Sequence, residues 1–127
     1  MSGRRQYVAV IDDEVDLVEL FSEALKLNGY SVRGFDNPLV ALEHLYLHHS
    51  EISLVLIDIR MPDIDGFQVA RAVYELDKKI KIICMSAFEN FDNEISKTQM
   101  DEFLKKPIHI NRLIEVIKRH LSLIQYN

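Results

Sequence analysis

Apolar positions along this chain recur with two alternating periods. Tyr7–Ile11 is a short continuous apolar run. Val15–Leu27 follows it with apolar residues at 17, 20, 21, 24, 25 and 27, the spacing of a helical stripe. Asn28-Gly29 closes that helix with residues that tolerate a left-handed cap. Val32–Phe35 reads as a second strand, and Asn37-Pro38 opens a second helix running to about His48, with Pro38 in its first turn. Leu54–Asp58 is the third strand. Gly66–Leu76 carries Phe67, Val69, Ala70, Val73 and Leu76 on one helical face. Lys81–Met85 is the fourth strand, Phe91–Lys97 a short fourth helix, and Asp101–Leu104 a short fifth strand. The last helix runs from Ile110 to about Gln125.

Strand followed by helix, five times over, with short connections, predicts an α/β fold. Its core is a doubly wound five-stranded parallel sheet flanked by five helices. Residues 1–6 form an N-terminal arm and residues 7–125 a single domain. In such open sheets the ligand crevice lies beyond the carboxyl ends of the strands. The first strand leads into Asp12, Asp13 and Glu14, the third ends at Asp58, the fourth leads into Ser86, and the fifth into Lys106-Pro107. Parallel strands bring all of these to one edge.

Composition narrows the function. With 127 residues, 48% hydrophobic and 28% charged, the chain has the makeup of an ordinary globular domain. Its net charge of −5 argues against direct nucleic-acid binding. No apolar run is long enough to cross a bilayer, and no apolar signal segment follows Arg4 and Arg5, so the expectation is a cytoplasmic protein without a membrane partner. The single cysteine, Cys84, lies inside the fourth strand and reads as inert core packing. His44, His48 and His49 read as a solvated helix face, and "KKIK" at 78–81 as a charged loop leading into a strand.

The carboxylates carry the chemistry. An acidic run after a strand is also what a helix N-terminus favours, but Asp12, Asp13 and Asp58 together are a different matter. Carboxylates 4 Å apart in a partly screened site repel by about 4 kcal/mol per pair. A hard divalent cation relieves this, and oxygen ligands suit Mg²⁺, with Mn²⁺ as the alternative. Lys106 adds a positive point charge and Ser86 a hydroxyl. What remains to be supplied is an anion with several oxygens, and carboxylates do serve as covalent phosphoryl acceptors.

These residues resemble the receiver domains of two-component response regulators, single-domain chemotaxis-regulator-like members included. The match covers nearly the whole chain, in order. Asp12-Asp13 resembles the family's metal-binding pair. Asp58 in "DIRMPDIDG" is similar to its phosphoacceptor, and Ser86 to the hydroxyl residue that contacts the phosphoryl group. Phe103 stands at the switch aromatic, and Lys106-Pro107 at the phosphate-contacting lysine and a proline that is commonly cis. The stretch from Ser86 to Lys106 departs from the family by being short and by offering "KTQMDEF" before the fifth strand.

The resemblance implies a flavodoxin-like fold and a phosphoacceptor switch. A histidine kinase or phosphotransfer protein gives its phosphoryl group to Asp58, Lys106 and Ser86 contact the product, and Asp12, Asp13, Asp58 and the Arg60 backbone carbonyl ligate the metal. The surface of the fourth helix, fifth strand and fifth helix then changes toward an output partner, a fused output domain or a second copy in a homodimer. The chain is not expected to turn over a separate substrate; its only chemistry is its own phosphorylation and dephosphorylation. Arg60 and Phe88 stand where the family tunes phosphoryl lifetime, and Arg60 is expected to pair with Glu14. Three other classes share parts of this pattern. A metal-dependent phosphatase acting on small substrates would also use aspartates, but the 127 residues offer no additional substrate or cap segment. A flavodoxin-like cofactor carrier needs a Gly/Ser/Thr-rich phosphate loop where Asp12–Glu14 stand, and a phosphorylation-independent docking module needs no intact site. On the last helix, Ile110, Leu113, Ile114, Ile117, Leu121 and Ile124 form the core stripe. Val116 and Leu123 fall off it, as exposed residues or as part of a partner surface.

Overall fold

The computed structural model describes residues 5–87 and 92–121. Five strands, β1 (Tyr7–Ile11), β2 (Val32–Phe35), β3 (Ile52–Asp58), β4 (Lys81–Ser86) and β5 (Glu102–Lys105), form one sheet in the order β2-β1-β3-β4-β5. Every adjacent pair is parallel. Between them run α1 (Val15–Leu27), α2 (Pro38–His48), α3 (Gly66–Leu76) and α4 (Asp92–Lys97), with α5 (Ile110–Leu121) after the last strand. The order reverses between β1 and β3, which makes their C-terminal ends the switch point of the sheet.

Strand alternation divides the core in two. Ala9, Ile11, Val55, Ile57, Ile82 and Cys84 face α2 and α3, while Val8, Val10, Leu54, Leu56, Ile83 and Met85 face α1 and α5. Almost all are wholly buried, as expected for central parallel strands covered on both faces.

Most boundaries agree with the apolar pattern, and the exceptions have local causes. β3 begins two residues before the expected Leu54 because the pairing with β1 shifts register between Tyr7 and Val8. Ser53, the extra residue, donates its hydroxyl to the Tyr7 carbonyl at 3.0 Å, so the alternation that marks a strand is interrupted there. β5 begins one residue late. Asp101 exchanges backbone and side-chain hydrogen bonds with Ile82 (2.7 and 2.8 Å) and acts as a lead-in rather than a ladder residue. β4 continues through Ser86, which pairs with Lys105. The expected ends of the fourth and fifth helices at Phe91 and Gln125 lie outside the described residues.

Two expectations need correction. Val116 is 0% exposed, not a surface residue. Val116 belongs to the buried cluster that α1, α5 and the strands form together, so the buried arc of α5 is wider than the expected stripe; Leu123 lies outside the described residues. The histidines are not simply solvated. His44 is half-buried against Phe35 with its Nε2 2.6 Å from the Tyr7 hydroxyl, and His48 stacks on it. His49 Nδ1 lies 2.8 Å from Asp77 Oδ2. Cys84 is fully buried, and that burial pushes its thiol up to about 12.

At the opposite end of the sheet, Arg5 clamps the start of β1. Its guanidinium donates to Asp77 at 2.8 and 3.1 Å and to the carbonyls of His49 and Ile52. Among the described residues no helix is long and apolar enough to cross a membrane.

Candidate functional site

Each site residue is delivered by the end of a strand. β1 hands over to Asp12, whose carboxylate turns back to accept the Glu14 N–H at 3.0 Å and so fixes the acidic loop before α1. Asp58 is the last residue of β3 and is 5% exposed; Asp12 is 0% exposed. Ser86 closes β4, fully buried, and its carbonyl accepts the Lys106 N–H at 2.8 Å. That bond holds Lys106 at the mouth of the sheet, ahead of a cis Lys106–Pro107 peptide.

The loop after Asp58 is shaped by one glycine. Gly66 begins α3 and donates its N–H to the Ile59 carbonyl at 2.8 Å. A Cβ at this position would collide with the backbone of Asp58 and Ile59. α3 can therefore start directly against the phosphoacceptor candidate only because residue 66 has no side chain. Asp65 caps that helix. Its carboxylate accepts the Gln68 N–H at 2.9 Å while Gln68 Oε1 accepts the Asp65 N–H at 3.0 Å, a reciprocal capping box. This feature was readable as D-x-x-Q before an apolar run, and Gly66 as the residue after a cap, but neither spacing by itself reveals the close approach to Asp58.

The electrostatics follow from crowding. Carboxylate oxygens of Asp12, Asp13 and Asp58 lie within 4.8 Å of one another. Lys106 Nζ sits 2.9 Å from Asp12 Oδ2, 3.1 Å from Asp58 Oδ1 and 3.8 Å from Glu14 Oε1. Burial, followed by the Asp12 charge, pushes the Asp58 carboxyl up to about 6 against the opposing pull of Lys106. Burial would lower the Lys106 ammonium, but the Asp12 hydrogen bond and the charges of Asp58 and Asp12 raise it above its ordinary value. One ammonium is thus shared among the carboxylates of Asp12, Asp58 and Glu14, and the donor set of Asp12, Asp13 and Asp58 is entirely oxygen, the chemistry of a hard divalent cation.

A small cavity of about 100 Å³ opens over Asp58, lined by Glu14, Arg60, Ser86, Ala87 and Lys106. Six of the expected site residues, Asp12, Asp13, Asp58, Arg60, Ser86 and Lys106, are therefore gathered at one sheet edge. Arg60 is exposed beside Glu14 at that cavity, and Phe88 lies outside the described residues. Phe103 is half-buried on the sheet face that carries α2 and α3, paired across the ladder with Cys84.

Comparison with known proteins places these features in context. Residues 8–118 match the model of the response regulator receiver domain. The chain is 32% identical over 118 residues to the response regulator receiver protein CpdR of Brucella abortus, covering 90% of this chain and 95% of that protein. It is 29% identical over 115 residues to the transcriptional regulatory protein ZraR of Klebsiella oxytoca, covering 89% of this chain but only 26% of ZraR. Among solved structures, the response regulator TrrA from Thermotoga maritima, in complex with Mg²⁺ and BeF, superposes with a TM-score of 0.81 at 31% identity. That match covers 91% of this chain and 99% of TrrA.

Proposed function

This chain belongs to the response regulator receiver domain family, and from that membership we propose that it is a signalling switch whose phosphoacceptor is Asp58. The observation that carries the reading is the single ammonium of Lys106 set between Asp12 and Asp58 at 2.9 and 3.1 Å. The crowded carboxylates of Asp12, Asp13 and Asp58 suit a hard divalent cation, and that cation together with Lys106 would offset the charge of an incoming anion.

In the proposed reaction a partner's phosphohistidine approaches the cavity over Asp58. One Asp58 carboxylate oxygen forms the new P–O bond as the P–N bond breaks, and the electron pair leaves with the imidazole. Lys106, already within contact distance of Asp58, holds a product oxygen, and the Ser86 hydroxyl donates to another. Asp12, Asp13 and Asp58, with the Arg60 backbone carbonyl that family resemblance adds, are the residues that would hold Mg²⁺ or Mn²⁺. Such an ion would supply positive charge that offsets the charge of the transferred phosphoryl group. The TrrA complex with Mg²⁺ and BeF supports this assignment. Arg60, at the cavity mouth beside Glu14, slows hydrolysis by covering the approach of water.

Phosphorylation draws Ser86 toward the phosphoryl group, Phe103 fills the space, and the α4–β5–α5 surface changes. A two-state equilibrium biased by one new anion suffices. The partners are a histidine kinase or phosphotransfer protein upstream and an output protein, output domain or second copy downstream, in the cytoplasm. The chain turns over no separate substrate. A flavodoxin-like cofactor role is disfavoured because Asp12, Asp13 and Glu14 occupy the loop that a nucleotide phosphate would have to approach.

The switch is tested with beryllofluoride and Mg²⁺, read as amide chemical shifts in wild type and in Lys106→Ala. Shifts at Phe103 and along α5 in wild type, strongly reduced in the variant, are expected. Equal shifts in both proteins would refute the role given to Lys106.

A further inference from the structure

Helix α2 is apolar on nearly every side, although only one side of it is covered. Ala41 and Leu45 turn inward and are 0% and 1% exposed. Outward stand residues 39, 40, 43, 46 and 47, and four of these five are apolar. Leu39 and Val40 are each 53% exposed, Tyr46 63% and Leu47 72%. Residues seven apart lie in line along a helix, so Leu39 with Tyr46 and Val40 with Leu47 form two parallel rows, with Glu43 between them. Scattered exposed apolar residues are ordinary, but contiguous rows of large ones mark a covered surface. A helix apolar all round is normally buried all round.

A cleft continues this face. Between α1 and α2, past the open edge of β2, lies a cavity of about 300 Å³, three times the one over Asp58. Its apolar walls are Val15, Val18, Phe35 and Val40, the last shared with the outer rows of α2. Glu19 and Asp36, both exposed, stand on its rim. Gly34 leaves its floor bare, since a Cβ there would lie 2.5 Å from Val18 Cγ1.

We propose that the outer face of α2 and this cleft form a docking groove for an amphipathic helix of another protein, apolar along one stripe and flanked by Lys or Arg. The charge of the groove selects that partner. Glu43 stands at the centre of the apolar rows, and Glu19 and Asp36 stand at the cleft end. α2 contains no Lys or Arg, and α1 none before Lys26. The nearby Arg33 guanidinium lies 5.0 Å from the Tyr7 ring centre. A second copy of this chain is the poorer occupant, because antiparallel two-fold packing of α2 on its mate sets Glu43 against Glu43. The groove is independent of whether Asp58 accepts a phosphoryl group.

The probe is a synthetic peptide of about 18 residues, long enough to sustain a helix, with Leu at heptad a and d positions and Lys beside them. A companion peptide carries Glu in place of Lys. Binding to the intact protein is followed by amide chemical shifts. The Lys peptide is expected to bind and to shift Val15, Val18 and residues 39–47, and the Glu peptide to bind more weakly. Leu47→Asp should weaken the Lys peptide about fivefold or more. Glu43→Lys should weaken it about two- to tenfold and favour the Glu peptide instead. Both positions are exposed, and unchanged melting temperatures confirm intact folds. The proposal is overturned if the Lys peptide does not bind, if its shifts map elsewhere, or if Glu43→Lys leaves the peptide preference unchanged. It is equally overturned if the protein sediments as a dimer that Leu47→Asp dissociates, which would make a second copy the occupant.

Discussion

Replacing Gly66 by Ala should cost far more than any glycine propensity scale suggests, and the structure says why. The new Cβ would enter the backbone of Asp58 and Ile59, which are held in the middle of the sheet edge and cannot swing aside as a side chain could. Overpacking in a close-packed interior costs about 1–3 kcal/mol, and obstruction by backbone belongs at the upper end. Separation of α3 from the strand also strains the Gly66 N–H bond to Ile59, for about another 1 kcal/mol. Ala gains up to about 1 kcal/mol over Gly in a helix, which partly offsets these terms. The net expectation is a loss of about 3 kcal/mol, or a melting temperature lower by roughly 10 °C for a chain of this size. Gly29→Ala is the internal control. Gly29 has φ +91°, but nothing lies within 4 Å of its would-be Cβ, so only the left-handed backbone penalty of about 1–2 kcal/mol applies. Urea denaturation of the two variants alongside wild type measures both. If Gly66→Ala costs no more than Gly29→Ala, α3 does not press on the Asp58 strand end as described.

Three further outcomes are expected. Asp77 is opposed by burial but held down to about 2 by hydrogen bonds from Arg5 and His49. Because its folded value lies below the unfolded one, the stabilisation of about 2 kcal/mol is complete above about pH 4 and lost as pH falls through 2. Asp77→Asn should flatten acid denaturation over that window, and an unchanged profile would refute the clamp at Arg5. Asp65→Ala should cost about 1 kcal/mol by removing the α3 cap, read by thermal melting. Cys84, with its thiol pushed up to about 12, should resist a disulfide reagent at pH 8 until denaturant is added; prompt reaction in the folded protein would contradict its burial.

The sheet and its order of elements were legible because apolar runs and helical stripes alternate cleanly from Tyr7 to Leu121. The site was legible because parallel strands place Asp12, Asp58, Ser86 and Lys106 at one edge whatever the details of their packing. What sequence could not show was three-dimensional neighbourhood. Val116 looked exposed when α5 was judged by its apolar stripe alone, because its burial comes from a cluster assembled from distant parts of the chain. Ser53 hid the start of β3, since a register shift breaks the alternation on which strand recognition depends. The histidines of α2 carried no signal that Tyr7 and Phe35 would meet His44. Gly66 is an ordinary loop glycine in sequence and acquires its importance only from the backbone pressed against it.

The central claim is that Asp58 accepts a phosphoryl group in a site completed by a divalent cation. Intact-mass measurement after incubation with acetyl phosphate and Mg²⁺, followed by borohydride trapping and peptide mapping, tests it most directly. The account predicts one phosphoryl group per chain, on the peptide containing Asp58, absent in Asp58→Asn and absent in excess chelator. A label that persists in Asp58→Asn, or that forms fully without a divalent cation, would contradict it.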